Sequence, residues 1–259
     1  MSIIAVFAAS TIESRPIERL MRRSNRRVTE PVVEGRIGDN HVVLVTTGMG
    51  MAPARSAAKI LDEKNAAVIV TGLCGSLSSD VMEGQVVLYS DCLADDARRA
   101  LACSREFVFG VASMLERSGV STKVVQGLSS KTIAATPSEK RALSSRGAEV
   151  VDTESYEILA AAHCAGIPAI VLRAVSDSVD RTLPDFGPAI RDNGEFAPLR
   201  LARACVSSPI RTIQLYMSTR RAIENLSRAQ AVILGGDLVE LCAFNAEAAS
   251  TQRGSQKPL

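Results

Sequence analysis

The amino-acid sequence predicts an α/β fold: three layers, α/β/α, around a central mixed, largely parallel sheet. Two observations lead there. Short runs such as IIAVFAA (3–9), AAVIVTG (66–72) and IPAIVLRAVSD (167–177) recur and are apolar on both faces, as strands covered from both sides must be. Segments with the 3.6-residue period of helices separate them, so strand and helix alternate. No internal repeat and no linker-like stretch divides the 259 residues. One domain spanning 1–259 is therefore expected, which suits a large α/β unit.

Each element has its local reason. After the strand at 3–9, SRPIERLMRRS has helical spacing, and Pro16 suits a first turn. HVVLVTT (41–47) reads as a strand closed by Gly48-Met49-Gly50, and MAPARSAAKILDEK as an amphipathic helix. The strand 66–72 runs into a Gly- and Ser-rich loop, and QVVLYSD (85–91) follows as a fourth strand. FVFGVASMLERSG is a helix within a more polar middle segment, and VVQGLSSKTIAA (124–135) a strand. PSEKRALSSRG opens on Pro137-Ser138 and stops at Gly147, and YEILAAAHCAG stops at Gly166. A helical extension is expected over about 191–245, then a polar tail at 250–259.

Composition removes several classes of function. Apolar residues make up 46% and aromatics 3%, with no tryptophan. The core must be aliphatic, and stacking platforms for single-stranded nucleic acid are not expected. A net charge of +2 is too mild for a nucleic-acid partner. Arg15, Arg19, Arg22, Arg23, Arg26 and Arg27 crowd one segment; this reads either as a solvated helix face or as a patch for anions or lipid headgroups. Six cysteines occur singly and only two histidines exist, so neither a disulfide framework nor a zinc site is expected. No signal peptide and no apolar run of membrane-spanning length is read, and a cytoplasmic location is the expectation.

In open α/β sheets ligands bind beyond the carboxyl ends of strands. The polar residues at those ends are Ser10, Thr11 and Glu13; Thr47-Gly48-Met49-Gly50; Thr71, Gly72, Cys74, Gly75 and Ser76; Asp152 and Glu154; and Ser176 with Asp177. Glu13, Glu154 and Asp177 are the carboxylates such a fold would bring together. Each also has a plain alternative: a surface charge, a first-turn acid favoured by the helix dipole, or a turn cap. The sequence lacks G-x-G-x-x-G, a P-loop and G-x-S-x-G. Pattern alone stops at an enzyme-like α/β domain with convergent carboxylates.

Three segments carry a resemblance to a known family: VVLVTTGMGMAPARSAAKIL, VIVTGLCGSLSSDVMEGQVVLYSD and VVDTESYEILAAAHCAGIPAIVLRAVSDSVD. Their order and motifs, over Ile3 to about Pro188, resemble the nucleoside phosphorylase and nucleosidase superfamily. TPSEKRALSSRGAEVVDTES and SDSVDRTLPDFGPA are most similar to its hopanoid-associated phosphorylase branch. The resemblance implies cleavage of the N-glycosidic bond of an adenosine-type nucleoside, with adenosylhopane as the substrate of that branch. Asp177 would protonate the departing purine, and Glu13 would orient or deprotonate the attacking water. Glu154 would hold the ribose hydroxyls. Thr153, Leu73, Cys74, Gly75, Ser176 and Gly48 would line the substrate site, and Arg173 reads as structural.

Two departures from the family pattern stand out. Thr153 replaces the usual methionine that packs on ribose. ASTIESRP stands where phosphorylases carry a G-x-P-x-R phosphate loop. Water is then the expected nucleophile, with Arg15 or Arg55 as candidates to hold inorganic phosphate as a co-substrate. No cofactor or metal is implied. The partners implied are a small-molecule or lipid-linked nucleoside, peripheral membrane contact and a second copy in a homodimer. The alternatives are a nucleosidase for methylthioadenosine, adenosylhomocysteine or futalosine-like substrates, and a degenerate relative that binds without cleaving.

Overall fold

The computed structural model describes residues 3–26, 31–62, 64–95, 97, 99–189, 191, 194 and 197–238. The expected tail at 250–259, the extension beyond 238 and Arg27 lie outside these residues. Ten strands form one mixed sheet: β1 (Ile3–Ala8), β2 (Arg22–Arg26), β3 (Val32–Ile37), β4 (Asn40–Thr46), β5 (Asn65–Ser76), β6 (Val86–Ala94), β7 (Leu101–Ala102), β8 (Thr122–Ser129), β9 (Val150–Asp152) and β10 (Ala169–Asp177). The helices are α1 (Thr11–Leu20), α2 (Met51–Ala57), α3 (Arg105–Arg117), α4 (Pro137–Ser144), α5 (Ser155–Ala165), α6 (Pro198–Ser207) and α7 (Pro209–Gly235).

The order β10-β6-β8-β9-β5-β1-β4-β3-β2 hides a closure. β10 also pairs with β5, so β5, β10, β6, β8 and β9 form a ring, and β1, β4, β3 and β2 extend from it as a wing. The long ladders are parallel: β1 with β4 and β5, β10 with β5, and β6 with β8. The wing ends in an antiparallel β2–β3–β4 meander, and β10 meets β6 antiparallel. Helices α1, α3 and α7 pack together in one group, and α2 with α5 in another. This gives the expected α/β layering around a mixed sheet. The core is aliphatic, with Ile4, Val6, Ile69, Val70, Leu88, Ile170 and Leu172 almost wholly buried.

Some boundaries differ from expectation. α1 begins at Thr11, because Ser10 caps it and Glu13 reaches back to the Ser10 N–H at 2.8 Å. Pro16 therefore lies inside the helix rather than in its first turn, and offers no N–H to the Ile12 carbonyl. The strand expected at 124–135 stops at Ser129. The helix expected over SRPIERLMRRS ends at Leu20, and its last residues instead open β2, which pairs antiparallel with β3; RRSNR has no apolar alternation, as suits a charged strand at a sheet edge.

Candidate active site

The carboxyl ends of β1, β5, β9 and β10 converge because they lie in one ladder system: Ala8 pairs with Thr71, Asp177 with Gly75, and Gly75 with Val151. Beyond them lies a cavity of about 520 Å³, a size that holds a small organic ligand. Glu13, Glu154 and Asp177 all line it, as do Thr153, Leu73, Cys74, Gly75 and Ser176. Gly48 stands aside. Its neighbour Met49 is in the wall, while the Gly48–Met49 backbone presses against Gly194, where an added Cβ would lie 2.4 Å from the Met49 nitrogen.

Each carboxylate is held by the fold. Glu13, almost fully buried, accepts the Leu73 N–H at 2.7 Å on Oε1 and the Ser10 N–H and hydroxyl on Oε2. It is thus no surface charge; the capping box turns it inward and ties β1 to the loop end of β5. Glu154 caps α5. Its Oε1 accepts the Gly50 N–H at 3.0 Å and the Thr153 hydroxyl, and its Oε2 faces Arg173 at 3.3 Å. The glycine turn after β4 therefore does reach Glu154, through Gly50.

Asp177 ends β10. The Ser176 hydroxyl lies 2.6 Å from Oδ1 and 3.1 Å from the Cys74 carbonyl, so it fixes the acid against β5. Oδ2 is paired with the ammonium of Lys140. Gly75 makes this approach feasible, since a Cβ there would already lie 3.1 Å from Oδ2. The following turn is pinned by Glu83, which accepts the Ser178 N–H at 3.0 Å and pairs with Arg181 at 2.7 Å.

Behind the cavity Arg173 organises the acids. It is buried and reaches Asp152 at 3.5 Å, Glu154 at 3.3 Å, the Ser155 hydroxyl at 2.8 Å and the Leu73 carbonyl at 3.3 Å. Burial works against its charge, but Asp152 and Glu154 hold the guanidinium more firmly protonated than usual. The two acids it spans diverge. Burial raises both, yet Arg173 and the hydrogen bonds from Ser129 and Ser155 bring Asp152 below the ordinary range. For Glu154 burial wins, with Asp152 adding to it, and the carboxyl lies above its ordinary range. Asp152 is the structural acid: it accepts from the Tyr89 hydroxyl, the Ser129 hydroxyl and the N–H groups of Glu154 and Ser155. Glu154 has fewer fixed partners and faces the cavity.

Cys74 is no nucleophile. Burial, chiefly, pushes its thiol far above the ordinary range. Neither Arg15 nor Arg55 lines the cavity, and Arg55 is clamped by Glu157 at 2.6 and 2.7 Å. Among the described residues the wall holds Glu13, Asp152, Glu154 and Asp177 and no cationic side chain. Sequence reasoning missed Lys140. It stands in the segment quoted for the family resemblance, but nothing in its spacing separates it from a solvated helix charge.

The outer wall is apolar, with Leu183, Phe186, Leu201, Leu215 and Tyr216. The last three come from α6 and α7. No residue of α6 is buried, and the first buried residue of α7 is Ser218.

The sequence pattern of the Phosphorylase superfamily matches residues 4–206, from the first strand through the acid-bearing ladder to α6. The chain belongs to that superfamily. Membership groups it with enzymes of the nucleosidase and nucleoside phosphorylase kind. Among curated proteins none matches the chain. Solved structures of the same fold include the 5′-methylthioadenosine/S-adenosylhomocysteine nucleosidase of Neisseria meningitidis in complex with methylthio-immucillin-A. It is 18% identical with a TM-score of 0.72, over 91% of this chain and 99% of that one. Futalosine hydrolase of Helicobacter pylori is 14% identical with a TM-score of 0.67, over 95% and 98%. The S-adenosylhomocysteine nucleosidase of Streptococcus pyogenes, in complex with 5-methylthiotubericidin, is 21% identical with a TM-score of 0.64, over 85% and 96%.

Proposed function

We propose that the protein hydrolyses the N-glycosidic bond of an adenosine-type nucleoside carrying a bulky apolar 5′ group, of the adenosylhopane kind. One observation carries this: Glu13, Glu154 and Asp177, far apart in sequence, line a single cavity. Asp177 would donate to the departing purine as the C1′–N9 electron pair moves into the ring. Glu154 would accept from the ribose hydroxyls and favour positive charge growing on the sugar. Glu13 would take the proton of the water that bonds to C1′. Water is favoured over phosphate because, among the described residues, no cationic side chain enters the wall to hold a dianion, Arg173 and Lys140 being engaged with the acids behind it.

The apolar outer wall favours the lipid-linked substrate over a small polar 5′ group. Peripheral contact with a membrane belongs to the same reading. Residues 197–223 contain Arg200, Arg203, Arg211, Arg220 and Arg221 and no Asp or Glu. On this segment Leu199, Val206, Ile210, Ile213 and Met217 are all exposed, the make-up of an interfacial helix on an anionic surface. The described arginines of the earlier cluster, Arg15, Arg19 and Arg22, are exposed and outside the cavity, so α6 and α7 are the better contact. A cytoplasmic homodimer completes the proposal.

The test is release of free adenine from a 5′-substituted adenosine by the purified protein. Asp177→Asn should lower the rate by about 10²–10⁴-fold, the worth of a positioned acid. Unchanged activity would remove Asp177 from the mechanism. In phosphate buffer the sugar product should be the 5-substituted ribose with a free 1-hydroxyl; its 1-phosphate would overturn the water reading.

A further inference from the structure

We infer that Lys140 is a positioning residue for the leaving-group step: it holds Asp177 and replenishes the proton that Asp177 gives to the departing base. The inference rests on the nucleosidase reading and extends it to a residue behind the cavity wall.

Lysine is almost never fully buried unless paired, yet Lys140 has no exposed surface. Its ammonium has three N–H groups and three acceptors: Asp177 Oδ2, the Ser178 carbonyl at 2.6 Å and the Arg181 carbonyl at 3.4 Å. Only Asp177 among these lines the cavity. The lysine is aimed there by its helix. Thr136 caps α4, the Glu139 N–H donates to the Thr136 hydroxyl at 3.3 Å, and Glu139 accepts the Thr136 N–H at 2.8 Å. That capping box sets the turn so that the next residue, Lys140, points at the end of β10. Asp177 therefore meets a substrate with Oδ1 held by Ser176 and Oδ2 held by Lys140.

The arrangement supplies a proton without exposing the acid to solvent. As the C1′–N9 bond breaks, its electron pair passes to the purine. Asp177 is a carboxylate at rest, so the proton that reaches the base nitrogen is one that Asp177 receives on Oδ2 from Lys140 Nζ and hands on, which leaves Asp177 a carboxylate and Lys140 a neutral amine. The water oxygen bonds to C1′ and its proton goes to Glu13. After the products leave and water refills the cavity, Glu13 gives up that proton and Lys140 regains one by way of Asp177, which lines the cavity, and the starting state is restored.

A merely structural lysine that steadied the turn at 178–181 would affect every substrate alike. The experiment compares a 5′-substituted adenosine, whose base must be protonated to leave, with 4-nitrophenyl β-D-ribofuranoside, whose nitrophenolate leaves unaided. Lys140→Met should lower kcat for the adenosine by about 10²-fold or more with KM nearly unchanged, while nitrophenol release stays within about threefold of the parent. Equal losses on both substrates, or none on the adenosine, overturn the inference. Lys140→Gln, which keeps donors for the two carbonyls, should behave in the same way. If burying Asp177 without its partner unfolds both single variants, Lys140→Met/Asp177→Asn removes both charges together. Its adenosine rate should match that of Asp177→Asn alone, because the two residues act as one unit; a further multiplicative loss overturns the inference. A parent protein inert on both substrates brings down the nucleosidase reading itself, and the inference with it.

Discussion

At Gly72 the backbone of β5 passes between the side chains of Glu13 and Arg173. A Cβ at this position would lie 2.6 Å from Glu13 Oε1 and 2.6 Å from Arg173 Nη1. Both are fixed in place, Glu13 by the Leu73 N–H and by Ser10, and Arg173 by Glu154 and Ser155, so neither can retreat cheaply. Gly72→Ala should cost about 1–3 kcal/mol of stability by overpacking, read from a shift in the denaturant midpoint at constant slope. It should also reduce nucleoside cleavage more than tenfold, on the order set by misplacing a catalytic group. Wild-type stability and rate in Gly72→Ala would show that the strand passes with room to spare. At this scale the sequence was legible where chemistry and position coincide. Glu13, Glu154 and Asp177 stand at the ends of strands that read as strands. Lys140 was not legible, because a lysine on a short polar helix looks solvated until the capping box turns it inward. Arg173 read as structural, and its role is to sort the two acids on either side of it.

Among the elements, α6 and residues 209–217 of α7 are unusual in burying nothing while lining the cavity with Leu201 and Leu215. Their outer faces carry Val206, Ile210 and Met217, which take no part in that wall. Replacing these three with Asp should abolish flotation with vesicles rich in anionic lipid at low salt. Cleavage of a water-soluble adenosine derivative should persist. Failure of the unmodified protein to float would end the membrane proposal, and conversion of a dimer to monomer by the same changes would mark this face as a contact between copies. The helical nature of this region was readable from its spacing, whereas its detachment from the core was not. Apolar residues at helical intervals normally mean a buried face, and here the inner stripe faces a hollow. The β2–β3 hairpin escaped notice for the opposite reason: its pairing partners are backbone groups, and RRSNR advertises no buried side.

Across the whole molecule the wing of the sheet is tied to the end of the longest helix by one side chain. Asn40, buried at the start of β4, donates to the carbonyls of Leu234 at 2.9 Å and Gly236 at 2.7 Å. These belong to the last turn of α7 and its cap, which have no helical partners of their own. Asn40→Ala should therefore destabilise the protein by about 1–3 kcal/mol, the cost of leaving the buried Leu234 carbonyl unpaired while Gly236 keeps the Leu238 N–H, measured by urea unfolding. kcat should stay near the parent value, since Asn40 lies outside the cavity wall. A large fall in kcat with stability intact would show that α7 transmits more than support. The α/β alternation was legible because it depends only on local apolar runs. The ring closure was not, because the β5–β10 and β5–β9 pairings join residues about a hundred and about seventy-five positions apart.

That ring has a consequence for how such a protein can change. Glu154 follows one of its strands and Asp177 ends another, and both strands are hydrogen-bonded to β5, so no hinge lies between the two carboxylates. Drift in sequence can reshape the rim contributed by α6 and α7 while the spacing between the two acids stays locked.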